Sequence, residues 1–181
     1  LMLSPLEKGL FQSAMVESGM PVSTPMADGE ASSQATLLKL LVNDGTVADQ
    51  VEAAARVESM SNAEIAEYLR SKTPAEILAC YEQEGFGMVS IPEILEDGTV
   101  IVADGTNAFD TGTYPNKVPV ILGSNKEELK MFQFMNPFFK GKDDLYQAVT
   151  SYGSDFWKVN GVDGMARKLS SYPDQPDVYA Y

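Results

Sequence analysis

Three short, mainly apolar runs lie far apart along the chain, and turn-forming residues bound the first two. They cover residues 14–16, 118–123 and 177–181. Such runs predict β-strands, and the uninterrupted run at 118–123 is typical of a strand buried on both faces. Strands this distant in sequence are most simply neighbours in a parallel sheet, because parallel pairing needs long crossover connections. The pattern therefore predicts an α/β protein with a parallel sheet.

Between the first two runs, apolar positions recur at helical spacing over residues 31–83, which predicts four short helices. Residues 22–30 are predicted to be a loop. Three helix starts show the capping-box pattern, in which a hydroxyl residue is followed three positions later by an acid. The pairs are Thr46 with Asp49, Ser61 with Glu64, and Thr73 with Glu76. We therefore predict a large helical insertion over residues 22–85.

After the central run the pattern is again helical, with helices predicted over residues 143–152 and 154–171. An aromatic cluster of four phenylalanines and one methionine precedes them around Pro137. Its members are Phe132, Phe134, Met135, Phe138 and Phe139. Aromatic residues at such spacing are more often plain core, although a substrate cavity is also lined by apolar side chains. Both interpretations stay open from the sequence.

Length and charge limit the classes of partner. The chain has 181 residues, 44% of them hydrophobic, which suits one domain with a real core. Lysine and arginine total 13 against 26 acidic residues, so the net charge is −13. That charge repels nucleic acid and anionic bilayers. Because the chain also lacks an apolar run of about 18 residues, we predict neither a nucleic-acid nor a membrane partner.

The histidine and cysteine counts limit the chemistry. The chain contains no histidine, so by itself it cannot run a Ser-His-acid or Cys-His relay. It also lacks the commonest ligand of zinc and copper, and we predict no metal site and no cofactor. Cys80 is the single cysteine, and no leader-like segment opens the chain. Both features favour a reducing compartment such as the cytoplasm.

Four segments, in order, resemble the type-B carboxylesterases, the family of the cholinesterases and the bacterial p-nitrobenzyl esterases. Residues 4–19 (SPLEKGLFQSAMVESG) resemble the family pattern SPxxKGLFxxAIxQSG. Residues 69–78 (LRSKTPAEIL) are similar to LRSxxxEELL, and residues 94–98 (ILEDG) are similar to PVIDG. Residues 118–128 (VPVILGSNKEE) resemble VPVLIGxNKDEG. Together the four segments are spread over residues 4–128.

The resemblance implies an α/β-hydrolase fold, a small-molecule ester substrate and a Ser-Glu-His triad. The family's triad acid falls on Glu128, with Glu127 as the alternative if the alignment slips by one residue; Leu129 stands at the family's glycine. Ser18 falls near the active-site serine and is a candidate support for the triad. Met26 stands near a position where the family often has an aromatic residue, so it is a candidate for the substrate pocket.

The resemblance also implies that the nucleophilic serine lies before Leu1 and the histidine lies after Tyr181. We therefore expect residues 1–181 to be one internal fragment of an α/β-hydrolase domain. It would hold the C-terminal part of the sheet, with residues 22–85 over the active-site side. Such a fragment is expected to be inactive alone and to self-associate through an exposed sheet edge. The alternatives are a fragment of a non-catalytic, partner-binding relative, such as the neuroligin-like adhesion proteins, and an unrelated acidic helical domain.

Overall fold

The computed structural model describes residues 1–83 and 88–181. The chain forms two compact units. The first consists of Leu1–Ser23 together with Ile94–Tyr181, and the second is Thr24–Glu93. The end predicted for the helical insertion, residue 85, lies outside the described residues. The position of the insertion over the active-site side stays a prediction.

The first unit contains a parallel sheet of three strands in the order β1-β2-β3. These strands are β1 (Ala14–Glu17), β2 (Val120–Gly123) and β3 (Val178–Ala180). Val120 lies opposite Ala14 on one side and opposite Val178 on the other. Each strand falls within or next to one of the three apolar runs. The predicted α/β fold with a parallel sheet is therefore confirmed.

The two faces of this sheet differ in burial, and the prediction that the central strand is buried on both faces is wrong. Val120 and Leu122 are buried in the core, whereas Ile121 between them is exposed. Its register partners Met15 and Tyr179 are exposed as well. Successive side chains of a strand point to opposite faces, so these three residues form one apolar row on the outer face. The apolar run hides this alternation because both faces carry aliphatic side chains.

The core of the first unit lies against the inner face of the sheet. It includes two short helices, α5 (Ala108–Thr111) and α8 (Met165–Ser170). The buried residues that form it are Leu3, Ala108, Phe109, Tyr114, Val120, Leu122, Val162, Met165 and Leu169. The Tyr114 hydroxyl is satisfied within this core because it donates to Gln175 Oε1 over 2.8 Å.

Two helices follow β2 and pack against each other. They are α6 (Glu128–Gln133) and α7 (Asp143–Trp157); a π-helical segment, Lys158–Gly164, joins α7 to α8. The predicted break near residue 153 is therefore wrong. A Cβ placed on Gly153 would lie 2.2 Å from Leu129 Cδ1. Gly153 is thus an interior residue of α7 where Leu129 packs.

The second unit contains four helices among its described residues. They are α1 (Met26–Asn43), α2 (Gln50–Glu58), α3 (Asn62–Arg70) and α4 (Pro74–Leu78). Leu37, Leu41 and Ala53 form its buried centre. The predicted loop at residues 22–30 is wrong beyond Pro25, because α1 begins at Met26. Pro25 precedes it and Asp28 lies in its first turn, two features that favour a helix N-terminus.

Two of the three predicted capping boxes are present. The Ser61 and Thr73 side chains each accept a hydrogen bond from the backbone N–H of the acid three residues on, and the carboxylate of that acid accepts one from the backbone N–H of the cap residue. At α2 the prediction is wrong, because the helix begins at Gln50 and Asp49 is itself the N-cap. The Asp49 carboxylate accepts from two backbone N–H groups of the first turn. It therefore caps the helix directly instead of serving as the acid of a box that starts at Thr46.

Candidate functional site

Ser18 lies at the carboxyl end of β1 in a strained backbone conformation. Its φ is +62°. Among residues 1–83 and 88–181, it is the one residue other than glycine that has a positive φ. The backbone is fixed from two sides. Its N–H donates to the carbonyl of Gly123 over 2.7 Å, and its carbonyl accepts from Trp157 Nε1 over 3.2 Å. A left-handed residue of this type costs about 1–2 kcal/mol, and such strain persists where surrounding contacts enforce it.

Glu128 lies beyond the carboxyl end of the neighbouring strand, β2, as the first residue of α6. Because β1 and β2 are parallel and Glu17 lies opposite Gly123, the residues after both strands meet at one edge of the sheet. Ser18 Oγ donates to Glu128 Oε2 over 2.6 Å. The same oxygen accepts from the backbone N–H of Asn125 over 2.8 Å and from its Nδ2 over 3.1 Å. In open α/β sheets, ligand crevices lie at this edge.

The carboxylate of Glu128 is bonded asymmetrically. Oε2 accepts three hydrogen bonds, whereas Oε1 accepts none from the part of the chain that the structure describes. Partial burial acts to raise the pKa of Glu128, but the hydrogen bonds from Ser18 and Asn125 outweigh it and lower the pKa below its ordinary value. The carboxylate is therefore ionised at neutral pH, with one oxygen held and the other available.

The helix that starts at Glu128 is fixed by α7. Ser154 Oγ accepts from the N–H of Leu129 over 3.1 Å, and the Tyr146 hydroxyl donates to the carbonyl of Lys130 over 2.9 Å. Phe132 stacks on Trp157 with ring centroids 6.5 Å apart and planes 8° from parallel. Trp157 thus links α6 to the backbone of Ser18.

The alternative acid, Glu127, has a different environment. Its carboxylate is exposed and forms an ion pair with Lys130 three residues along the chain. Ion pairs this exposed contribute little to stability. Among the described residues, its hydrogen bonds do not reach Ser18.

The other candidates are distributed more widely. Met26 is the first residue of α1 and belongs to the second unit. The aromatic cluster divides: Phe132 contacts Trp157 and Phe139 contacts Tyr146, whereas Phe134, Met135 and Phe138 are exposed.

The first unit also contains an open apolar cavity of about 360 Å³. Ala14, Val16 and Leu122 of the sheet line it, together with Phe109, Met165 and other apolar residues. Neither Ser18 nor Glu128 is among its lining residues, although Gly19 and Met20 are. The cavity is therefore a feature of the core beside the candidate site and not the site itself.

Two features are absent from the described residues. In residues 1–83 and 88–181, no three Cys, Asp or Glu side chains are grouped as metal ligands. Over the same ranges, no helix is both long enough and apolar enough to cross a bilayer.

Sequence reasoning missed the residues that hold Glu128 and Ser18 in place. Asn125 and Glu128 have the three-residue spacing of a capping box, in which an acid side chain reaches back to a backbone N–H, so a local signal existed. Trp157 and Ser154 offered no such signal. Their contacts reach Ser18 and Leu129 from 139 and 25 residues away.

The chain has three parallel strands, flanking helices and a carboxylate beyond the end of the central strand. These features correspond to part of an α/β-hydrolase fold. The model of the carboxylesterase family matches residues 1–171. The chain therefore belongs to the carboxylesterase family, and the resemblance stated from the four segments is confirmed. A search of curated proteins finds no match to the chain.

Proposed function

We propose that this chain supplies the acid of a Ser-Glu-His triad in a carboxylic ester hydrolase, and that the acid is Glu128. The observation that carries the proposal is the asymmetric bonding of its carboxylate. Oε2 is fixed by Ser18 and Asn125, and Oε1 accepts no hydrogen bond from the described residues. A triad acid must accept the N–H of an imidazole, orient the ring and stabilise the imidazolium that forms during acyl transfer. A fixed, ionised carboxylate with one open oxygen suits that role.

In this proposal Ser18 is a positioning residue. Its hydroxyl holds Glu128 Oε2 over 2.6 Å, and the Trp157 and Gly123 contacts hold its own backbone. Partners that orient a functional group in this way commonly control its geometry and its basicity. Glu127 fits the role of triad acid less well, because its exposed carboxylate is paired with Lys130.

The 181 residues contain no histidine, so the imidazole must come from outside them. In our proposal, residues outside the 181 also supply the nucleophilic serine. Members of a triad act as one unit, and losing one of them removes most of the rate acceleration. We therefore expect the isolated chain to be inactive towards esters.

Met26 remains a proposed pocket residue, on the basis of the family resemblance and of its flexible, apolar thioether side chain. Its test is a change in the preference of the hydrolase for acyl-chain length when Met26 is replaced by phenylalanine. A role confined to α1 would leave that preference unchanged.

The outer edge of β1 is the proposed route to self-association. Within the described residues β1 pairs with β2 alone, so alternate N–H and C=O groups of Met15 and Glu17 face away from the sheet. An open edge of this kind can pair with the same strand of another copy.

The function is tested by a chimera in which residues 1–171 replace the matching part of an active carboxylesterase that brings its own serine and histidine. Wild-type chimera should hydrolyse p-nitrophenyl acetate, and E128Q should lower kcat by roughly 10³–10⁴-fold. The matched control E127Q should keep kcat within a few-fold. Loss of activity in E127Q with retention in E128Q would overturn the assignment. Cooperative thermal unfolding of both variants separates a catalytic loss from a folding failure.

A further inference from the structure

Trp157, the last residue of α7, connects Ser18 to the helix that Glu128 begins. Its side chain is half-buried, and its indole N–H donates to the Ser18 carbonyl over 3.2 Å. The face of the same ring stacks on Phe132 of α6, with the two planes 8° from parallel. One side chain therefore holds the backbone of Ser18 and packs on the helix of its hydrogen-bond partner.

The π-helical segment Lys158–Gly164, which follows Trp157, packs against the chain just after Ser18. A Cβ placed on Gly161 would lie 3.1 Å from the Gly19 carbonyl oxygen and 2.8 Å from Met20 Sδ. The missing side chain thus lets the two backbones approach each other closely. Val162, the next residue, is buried in the core of the first unit. The segment is therefore fixed between that core and the end of β1.

Side chains support the π-helical geometry of this segment. In a π-helix the backbone hydrogen bonds join residues five positions apart. Lys158 and Asp163 have this spacing and form an ion pair, with 2.5 Å between Nζ and Oδ1. Asn160 Nδ2 donates to the carbonyl of Phe156 over 2.7 Å, at the point where α7 ends. π-Helical turns are rare in proteins, and they are frequent at functional sites.

We propose that Trp157 is a second positioning residue of the candidate site, and that the π-helical segment holds it against Ser18. The inference rests on the proposed function, since it concerns the carboxylate assigned as the triad acid. A left-handed backbone such as that of Ser18 persists only where surrounding contacts enforce it, and the Trp157 bond is such a contact. When this bond is removed, the Ser18 backbone can relax to negative φ, which moves its hydroxyl away from Glu128 Oε2.

The experiment is an NMR titration of the Glu128 side-chain carboxyl carbon in the full 181-residue chain. W157F keeps an aromatic ring beside Phe132 and removes the indole N–H, so the pKa of Glu128 should rise towards its ordinary value. In a chain that already carries S18A, W157F should change the pKa of Glu128 no further, because Trp157 acts through the Ser18 hydroxyl. Y152F, which removes a hydroxyl from an exposed tyrosine of α7, is the matched control and should leave the titration unchanged.

G161A is a second variant, and it leaves Trp157 intact. Its added Cβ pushes the π-helical segment away from Gly19, so the pKa of Glu128 should rise in this variant too. The inference is overturned if W157F leaves the pKa of Glu128 unchanged. It is also overturned if W157F raises that pKa equally with and without S18A, because Trp157 then acts by packing alone. If W157F does not unfold cooperatively in urea, G161A decides by the same two criteria.

Kinetics of the chimera that carries residues 1–171 complete the test. W157F should lower kcat about tenfold and leave KM for p-nitrophenyl acetate within about twofold, as expected for a change in the geometry of the triad. Y152F should leave both constants unchanged. If the proposed function is wrong, E128Q keeps its activity in the chimera, whereas the titration of the 181-residue chain still reports the Trp157 contact. The two failures are therefore distinguishable.

Discussion

Ser18 and Glu128 are 110 residues apart in sequence and share a hydrogen bond of 2.6 Å at the carboxyl edge of the sheet. The bond exists because β1 and β2 are parallel neighbours that end together, with Glu17 opposite Gly123. It places a fixed carboxylate beyond β2, where an α/β fold accommodates ligands. The bond also accounts for part of the lowered pKa of Glu128.

The first prediction concerns that pKa. Replacing Ser18 by alanine removes one of three hydrogen bonds to the ionised carboxylate, so the pKa of Glu128 should rise. An NMR titration of the Glu128 side-chain carboxyl carbon measures this directly. S13A removes an exposed hydroxyl just before β1 and should leave the titration of Glu128 unchanged. An unaltered Glu128 pKa in S18A would contradict the assigned role of Ser18.

The second prediction compares two glycines with positive φ in the first unit. Gly112 has φ +71°, and an added Cβ would lie 2.6 Å from the Tyr172 ring; Gly141 has φ +72° and nothing within 4 Å. G141A should lower the free energy of unfolding by about 1–2 kcal/mol, from backbone strain alone. G112A should cost about 1–3 kcal/mol more, because the ring must move.

Urea unfolding of both glycine variants measures the difference. The Tyr172 hydroxyl donates to the carbonyl of Phe109 over 3.0 Å, so displacement of the ring also disturbs α5. If G112A and G141A lose equal amounts of unfolding free energy, the close approach of Tyr172 to Gly112 adds nothing to the cost of the substitution.

The third prediction concerns acid stability in the second unit. Asp44 accepts hydrogen bonds from Tyr68 and Lys72. Burial acts to raise its pKa, but those bonds and the ones from Thr46 lower the pKa of Asp44 well below its ordinary value. A lowered folded-state pKa stabilises the fold above the unfolded-state value of about 4, and that stability is lost as the pH falls further.

D44N should therefore be less stable than wild type at neutral pH, and the difference should shrink below about pH 4. K72M should also make the free energy of unfolding depend less on pH, because it removes one of the hydrogen bonds to the carboxylate. Chemical unfolding over a series of pH values measures both. Parallel profiles for D44N and wild type into strong acid would rule out this network as a source of pH dependence.

The fourth prediction concerns the open edge of β1. Self-association through this edge should appear in sedimentation equilibrium as a concentration-dependent increase in mass. Replacing Met15 by proline removes a backbone donor on the outer side of β1 and should reduce the association. Because this proline also alters β1 itself, M15K serves as a second variant that keeps the donor and adds a charge at the edge. A strictly monomeric wild type would contradict the proposed route.

The sheet was predictable because its signal is local. Each strand is a short apolar run, the first two lie between turn residues, and the long gaps between runs favour parallel pairing. What local pattern could not reveal is which face of the sheet is covered, since the exposed Ile121 is as apolar as its buried neighbours Val120 and Leu122. The start of α2 was missed because two capping residues compete within four positions, and the Asp49 carboxylate reaches the first turn directly.

The candidate site was predictable only in part. The family resemblance brought Ser18 and Glu128 into the list of candidates, but not the bond between them. The contact from Trp157 to Ser18 depends on the packing of α6 against α7 and on the π-helical segment that follows Trp157. Contacts of this range have no periodic signature in the sequence, so the fold had to be known first.

The most direct test of the account is proton NMR of the histidine in the chimera that carries residues 1–171. If Glu128 Oε1 accepts the imidazole Nδ1–H, that hydrogen should give a strongly deshielded resonance in the wild-type chimera and in E127Q. The resonance should disappear in E128Q while the protein remains folded. A resonance that persists in E128Q, or that is lost only in E127Q, would contradict the assignment of Glu128 as the triad acid.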